Sequence, residues 1–243
     1  MSQDNALQEL REFKGLFEYY PSMTWLRLAE GVIDKIPPFI GTFEDFETDI
    51  SYPENDDHLL MHIAEMFHVV YLYRQKDMSA VEKIEAYLNW NYKNLLICES
   101  TLTYVLLLFT NQDGIRAPRG AMTNDYKKIL AGCKKQAWDL NYLSTWSTFH
   151  YNEPTENNEI FLFTTNDVML KKIFINTYSS SGLSGLIHAV LSSKDEKRIY
   201  DLIRQKSGAN RIKPDFGNSP HEYFNDLITR EKELLSSVLN FAR

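Results

Sequence analysis

Apolar positions recur at helical spacing along most of this chain. Leu7, Leu10, Phe13, Leu16 and Phe17 share one face and predict an amphipathic helix. Trp25, Leu26, Leu28, Ile33 and Ile36 predict a second, stopped by Pro37 and Pro38, which cannot continue a helix. Leu59 to Arg74 reads as a third. Ser79 to Glu82 has the S-x-x-E form of a capping box and opens a fourth that runs towards Tyr92. Asn124 to about Trp146 predicts a long helix. Met169, Leu170, Ile173 and Phe174 mark another. Leu183 to Leu191 and Lys194 to Gln205 follow. Ser219-Pro220-His221-Glu222 is a second capping box, with proline at the first helical position, and opens the last helix. Gln112 to Ala121, Asn152 to Asn158, Ser179 to Gly182 and Ser207 to Gly217 read as loops and turns.

Two segments break the helical pattern. Asn94 to Asn111 is apolar and reads as a strand followed by a helix. Ile160, Phe161, Leu162 and Phe163 form a short apolar run with the look of a buried strand. Together these predict a helix-rich α/β fold with few strands. No linker separates two halves, so a single domain over 1–243 is expected, with residues 1–40 as a helical appendage.

Composition narrows the class. The chain has 243 residues, 44% of them hydrophobic and 24% charged. That profile excludes a disordered, collagen-like or disulfide-rich chain. Cys98 and Cys133 lie far apart, without zinc or CxxC spacing, as in two buried thiols of a reducing cytosol. Residues 1–10 lack the apolar core of a signal peptide. Leu102 to Phe109 is far short of the roughly 20 residues that span a bilayer. A cytoplasmic protein away from the membrane is expected.

The net charge of −7 is local. Thr42 to Asp57 holds Glu44, Asp45, Glu47, Asp49, Glu54, Asp56 and Asp57 and no Lys or Arg, so the rest of the chain balances to zero. Arg116, Arg119, Lys127, Lys128, Lys134 and Lys135 form a basic run opposed only by Asp125. A second, running from Lys194 to Lys213, is diluted by Asp195, Glu196 and Asp201. The first run, with Trp138, Tyr142 and Trp146 beside it, suits phosphate contacts and base stacking along a single strand; the alternative is a solvated helix face over core aromatics.

Two acids stand out. Asp167 ends the apolar run 160–163 and precedes a helix, where it can hold a hard cation or simply cap that helix. Asp139 lies inside a predicted helix beside Trp138, Leu140 and Leu143; there it needs a cation, a hydrogen-bonded partner or solvent. His58, His62 and Glu65 fall at i, i+4 and i+7, a metal-binding spacing or a polar surface face. No G-x-S-x-G, P-loop or Rossmann glycine pattern occurs.

Trp138-Asp139-Leu140, then Phe161-Leu162-Phe163-Thr164-Thr165-Asn166-Asp167, resembles the C-terminal half of PIN-domain (PilT N-terminus) nucleases over about 94–176. The resemblance implies a small, mainly parallel central sheet. It implies Asp139 and Asp167 as ligands of Mg²⁺ or Mn²⁺, with Thr165 or Asn166 supporting the pocket and Glu99 as a further acid. The family's first acid has no clean counterpart; Asp45, Asp49, Asp56 and Asp57 are the candidates. The implied function is metal-dependent RNA cleavage of the toxin or defence type, and such proteins often form homodimers. The alternative is a non-catalytic PIN-like or helical regulatory protein that binds a protein partner through its acidic segment.

Overall fold

Where both faces of an apolar helix are covered, periodicity disappears, and this chain buries two such helices. The computed structural model describes residues 8, 11–12, 15–38, 56–152, 161–207, 211 and 214–240. Among them every regular element is a helix and no strand occurs. This corrects the α/β expectation. The chain divides into two compact units, Met1–Pro53 with Asn158–Thr164, and Glu54–Asn157 with Thr165–Arg243.

In the first unit residues 15–19 are helical, and α1 spans Ser22–Ala29. Phe17 stacks on Trp25 with ring centroids 4.1 Å apart, and Trp25 is buried. Helix α1 stops before the prolines that the sequence suggested. Gly31 takes φ +70°, its N–H reaches the Leu28 carbonyl and that of Val32 reaches Arg27. This left-handed glycine closes the helix end, and a side chain there is disfavoured.

The second unit contains α2 (Asp57–Tyr73), α3 (Ala80–Asn94), α4 (Glu99–Phe109), α5 (Tyr126–Asn152), α6 (Val168–Tyr178), α7 (Gly182–Val190), α8 (Ser193–Ser207) and α9 (Pro220–Asn240). Thirteen of the 17 residues of α2 are buried, so it is a core helix rather than a surface one. It packs against α9 and α5, and also against α3 and α4. Helix α4 is buried from Ser100 through Phe109 and packs on α6, α3, α7 and α5. No helix among the described residues is long and apolar enough to cross a membrane.

The expected strand near 94–98 is the end of α3 followed by a short link into α4. Of the expected strand 160–163, Phe161 to Phe163 form no strand either, and Ile160 lies outside the described residues. A single extended run without a neighbouring ladder leaves its backbone groups unpaired in a core, so a sheet needs at least two such runs. The local start signals fare better. Ser79 Oγ accepts from Glu82 N (3.3 Å) while a Glu82 carboxylate oxygen accepts from Ser79 N (2.7 Å), a complete capping box. Ser219 Oγ accepts from Glu222 N (3.3 Å) at the start of α9.

Candidate functional site: a basic cleft with two carboxylates

On α5, Gly132, Lys135, Gln136 and Asp139 follow the i, i+3, i+4, i+7 rule and share one face. That face forms one wall of a cavity of about 430 Å³, which Asp167, Met169, Arg116 and Arg119 also line. The two acids singled out in the sequence therefore meet in one place.

Asp167 is the N-cap of α6. Its Oδ1 accepts from Met169 N (2.7 Å) and Leu170 N (3.1 Å), while its own N–H donates to Thr165 Oγ1 (3.1 Å). Capping and cavity lining are thus not alternatives: Oδ1 serves the helix while the same residue lines the cavity. Thr165 holds the Asp167 backbone by that bond but does not itself line the cavity. Asn166 is exposed and does not line it.

The loop before α5 also lines the cavity, and it is pinned by hydrogen bonds. The buried Tyr104 donates its hydroxyl to the Arg116 carbonyl (2.9 Å). Arg74 Nη1 donates to the carbonyls of Ala121 (2.7 Å) and Thr123 (2.9 Å). Gly132 lets α5 approach the Arg119 backbone closely; an added Cβ would fall 1.9 Å from the Arg119 carbonyl oxygen. These contacts bring the Arg116 and Arg119 side chains to the cleft.

Burial pushes the Asp139 carboxyl up from its usual range, the charge of Asp167 pushes it the same way, and Lys135 opposes both. Two carboxylates, two guanidinium groups and an ammonium group make the cavity polar and mixed in charge, with cations in excess. An excess of cations around a cavity favours an anionic ligand.

The other sequence candidates lie elsewhere. Glu99 is exposed at the first turn of α4, where an acid favours the helix N-terminus. It acts electrostatically on Tyr178, at the far end of α6 from Asp167. An 11-residue helix is about 16 Å long, so Glu99 does not join the two aspartates. Lys128 pairs with Asp125 (3.4 Å) on the surface, and Lys127 is exposed outside the cleft. Lys134 lines a different cavity, together with Trp138. Trp146 packs on Phe174 and Tyr178. Asp56 caps α2 through His58 N (3.0 Å), and Asp57 lies 3.5 Å from His221. Asp45 and Asp49 lie outside the described residues, as does the rest of the acidic segment from 42 to 55. Among the described residues no group of three His, Cys, Asp or Glu is placed to hold a metal ion.

His58, His62 and Glu65 form neither a metal site nor a polar surface face. His58 is exposed, whereas His62 and Glu65 are fully buried. His62 Nδ1 bonds Glu65 (2.7 Å) and its Nε2 bonds Ser144 Oγ (2.8 Å), so neither ring nitrogen is left for a metal. Glu65 also accepts from Thr101 (3.0 Å), Tyr87 (2.8 Å) and Asn91 (3.2 Å). Burial and the Glu65 charge hold the Tyr87 hydroxyl well above its ordinary pKa. Ser144, His62 and Glu65 stand in the order of a proton relay, but the histidine and the glutamate have no surface. The network ties α2, α3, α4 and α5 together from inside.

Gln136 and Gly132 escaped the reading of the sequence. Helical periodicity counted back from Asp139 finds both, because each is three or seven residues away on the same face. No family model matches this chain, and neither a curated protein nor a solved structure is detectably similar to it.

Proposed function

We propose that this chain cleaves phosphodiesters of single-stranded RNA in the cleft between α5, the loop before it and the start of α6. The observation that carries this reading is the meeting of Asp139 and Asp167 with Arg116, Arg119 and Lys135 around one cavity. The cations draw in the phosphate backbone and hold it against the carboxylates. A cavity of about 430 Å³ has the volume of a small-molecule site and takes one nucleotide rather than a duplex.

Mg²⁺ or Mn²⁺ fits the donor set. Mg²⁺ uses one or two carboxylates and completes its shell with water and phosphate oxygens; Asp139 and Asp167 would hold it. Bound there, such an ion supplies an activated water and neutralises charge developing on the phosphoryl oxygens. Arg116 and Arg119 orient the phosphate by hydrogen bonds, bidentate where the geometry allows. Lys135 offsets part of the negative charge of the two acids. The toxin or defence role and the cytoplasmic location rest on this reading.

One observation favours a second reading. Only two acids meet among the described residues, whereas metal-assisted hydrolysis commonly uses more. In that reading the cleft binds RNA and leaves it intact. A labelled, unstructured RNA incubated with Mg²⁺ or Mn²⁺ separates the two. Cleavage that stops with EDTA and is lost in Asp167→Asn supports hydrolysis. Asparagine keeps an oxygen for the cap, so the fold survives the change. Binding without cleavage supports the second reading. Full cleavage by Asp167→Asn overturns the site.

A further inference from the structure

Gln136 is 6% exposed, and its Nε2 is buried without a hydrogen-bond partner among the described residues. It lines the cleft between Gly132 and Asp139. Asn141, buried on the same helix, leaves its acceptor Oδ1 unpaired, but among the described residues that line the cleft the unpaired buried atom is the Gln136 donor. Leaving a buried donor unpaired is costly, and natural cores avoid it unless a ligand completes the bond.

We propose that Gln136 is a substrate-contacting residue, donating from Nε2 to a non-bridging phosphate oxygen of the bound RNA. The inference rests on the RNA reading of the cleft. It follows from the placement of an unpaired neutral donor on the same helix face as Lys135, in the lining that Arg116 and Arg119 share, where an anionic oxygen is the acceptor common to these groups. A phosphate contact carries no sequence information. Gln136 therefore contributes equally to every RNA sequence.

The test uses Gln136→Met, which keeps the length of the side chain and removes the donor. Binding of labelled RNAs of two base compositions is followed by fluorescence anisotropy in EDTA, so that no cleavage competes. The expected result is a loss of affinity of about ten-fold for both RNAs, the factor that one hydrogen bond to a charged acceptor contributes. The thermal midpoint of the free protein is expected to stay level or rise by about 3 °C, because an unsatisfied buried donor has been removed. Unchanged affinity in a variant of a wild type that binds RNA overturns this inference and leaves the RNA reading standing. So does a loss confined to one base composition. A lowered midpoint marks Gln136 as a structural group and overturns the inference too. If the wild type binds neither RNA, the RNA reading fails and takes the inference with it.

Discussion

Replacing Gly132 by alanine pits two physical effects of opposite sign against each other. Glycine inside a helix costs about 1 kcal/mol relative to alanine, so propensity alone predicts that Gly132→Ala stabilises α5. Packing predicts the reverse. The new Cβ would lie 1.9 Å from the Arg119 carbonyl oxygen and 2.8 Å from that residue's backbone carbon and nitrogen. Ordinary contact begins at 3.4 Å, so helix and loop must part by about 1.5 Å, the difference. The loop cannot yield without loss, because Tyr104 holds Arg116 and Arg74 holds Ala121 and Thr123. Overpacking of this kind costs about 1–3 kcal/mol, and each strained hydrogen bond about 1 more. The clash outweighs propensity, and a net destabilisation of about 2 kcal/mol is expected. Urea denaturation followed by circular dichroism measures it as a lower midpoint at unchanged slope. RNA affinity should fall as well, since Arg116 and Arg119 move away from the acids. A Gly132→Ala protein that is more stable than wild type by the ~1 kcal/mol of propensity would refute the close approach and with it the account of how the cleft is built.

Three further outcomes follow from the same structure. Glu65→Ala removes the shared acceptor of four buried donors, on His62, Tyr87, Asn91 and Thr101, and should cost about 3–5 kcal/mol in chemical denaturation; a cost under ~1 would show that the network is not formed. Asp139→Asn should raise the thermal midpoint at neutral pH while abolishing cleavage, because burial and Asp167 both disfavour the charged carboxyl that the variant lacks; a lowered midpoint contradicts the repulsion. Its hydrogen bonds to Ser79 hold the Glu82 carboxyl below its usual value of 4.5, so its contribution is present above that pH and is lost as pH falls through the lower folded value. Glu82→Gln should therefore flatten the acid limb of a stability–pH profile and leave the alkaline limb unchanged.

Local signals in this chain were readable in proportion to how local their physics is. The Ser79–Glu82 capping box forms as written, because both partners lie within one turn. The helices after Asn124, Ser179 and Ser219 begin within a few residues of their signals. Apolar runs mislead for the opposite reason. Four apolar residues in a row suit a buried strand and a buried segment of another kind equally, and only a partner ladder decides between them. Glu99 ends an apolar run in the sequence, yet in the structure it begins a helix, where its charge favours the N-terminus instead of a metal.

What the sequence determined by itself was which residues carry unusual chemistry: two aspartates beside apolar runs, a basic stretch, and a histidine and a glutamate one turn apart. Only the tertiary structure decided which of them meet. The 27-residue α5 carries basic residues on more than one face, and its packing against α2 leaves Lys135 and Asp139 towards the cleft while Lys134 lines another cavity. His62 and Glu65 went inward for a related reason. A carboxylate can be buried where four donors converge, and those donors come from α2, α3 and α4, residues that no local pattern connects.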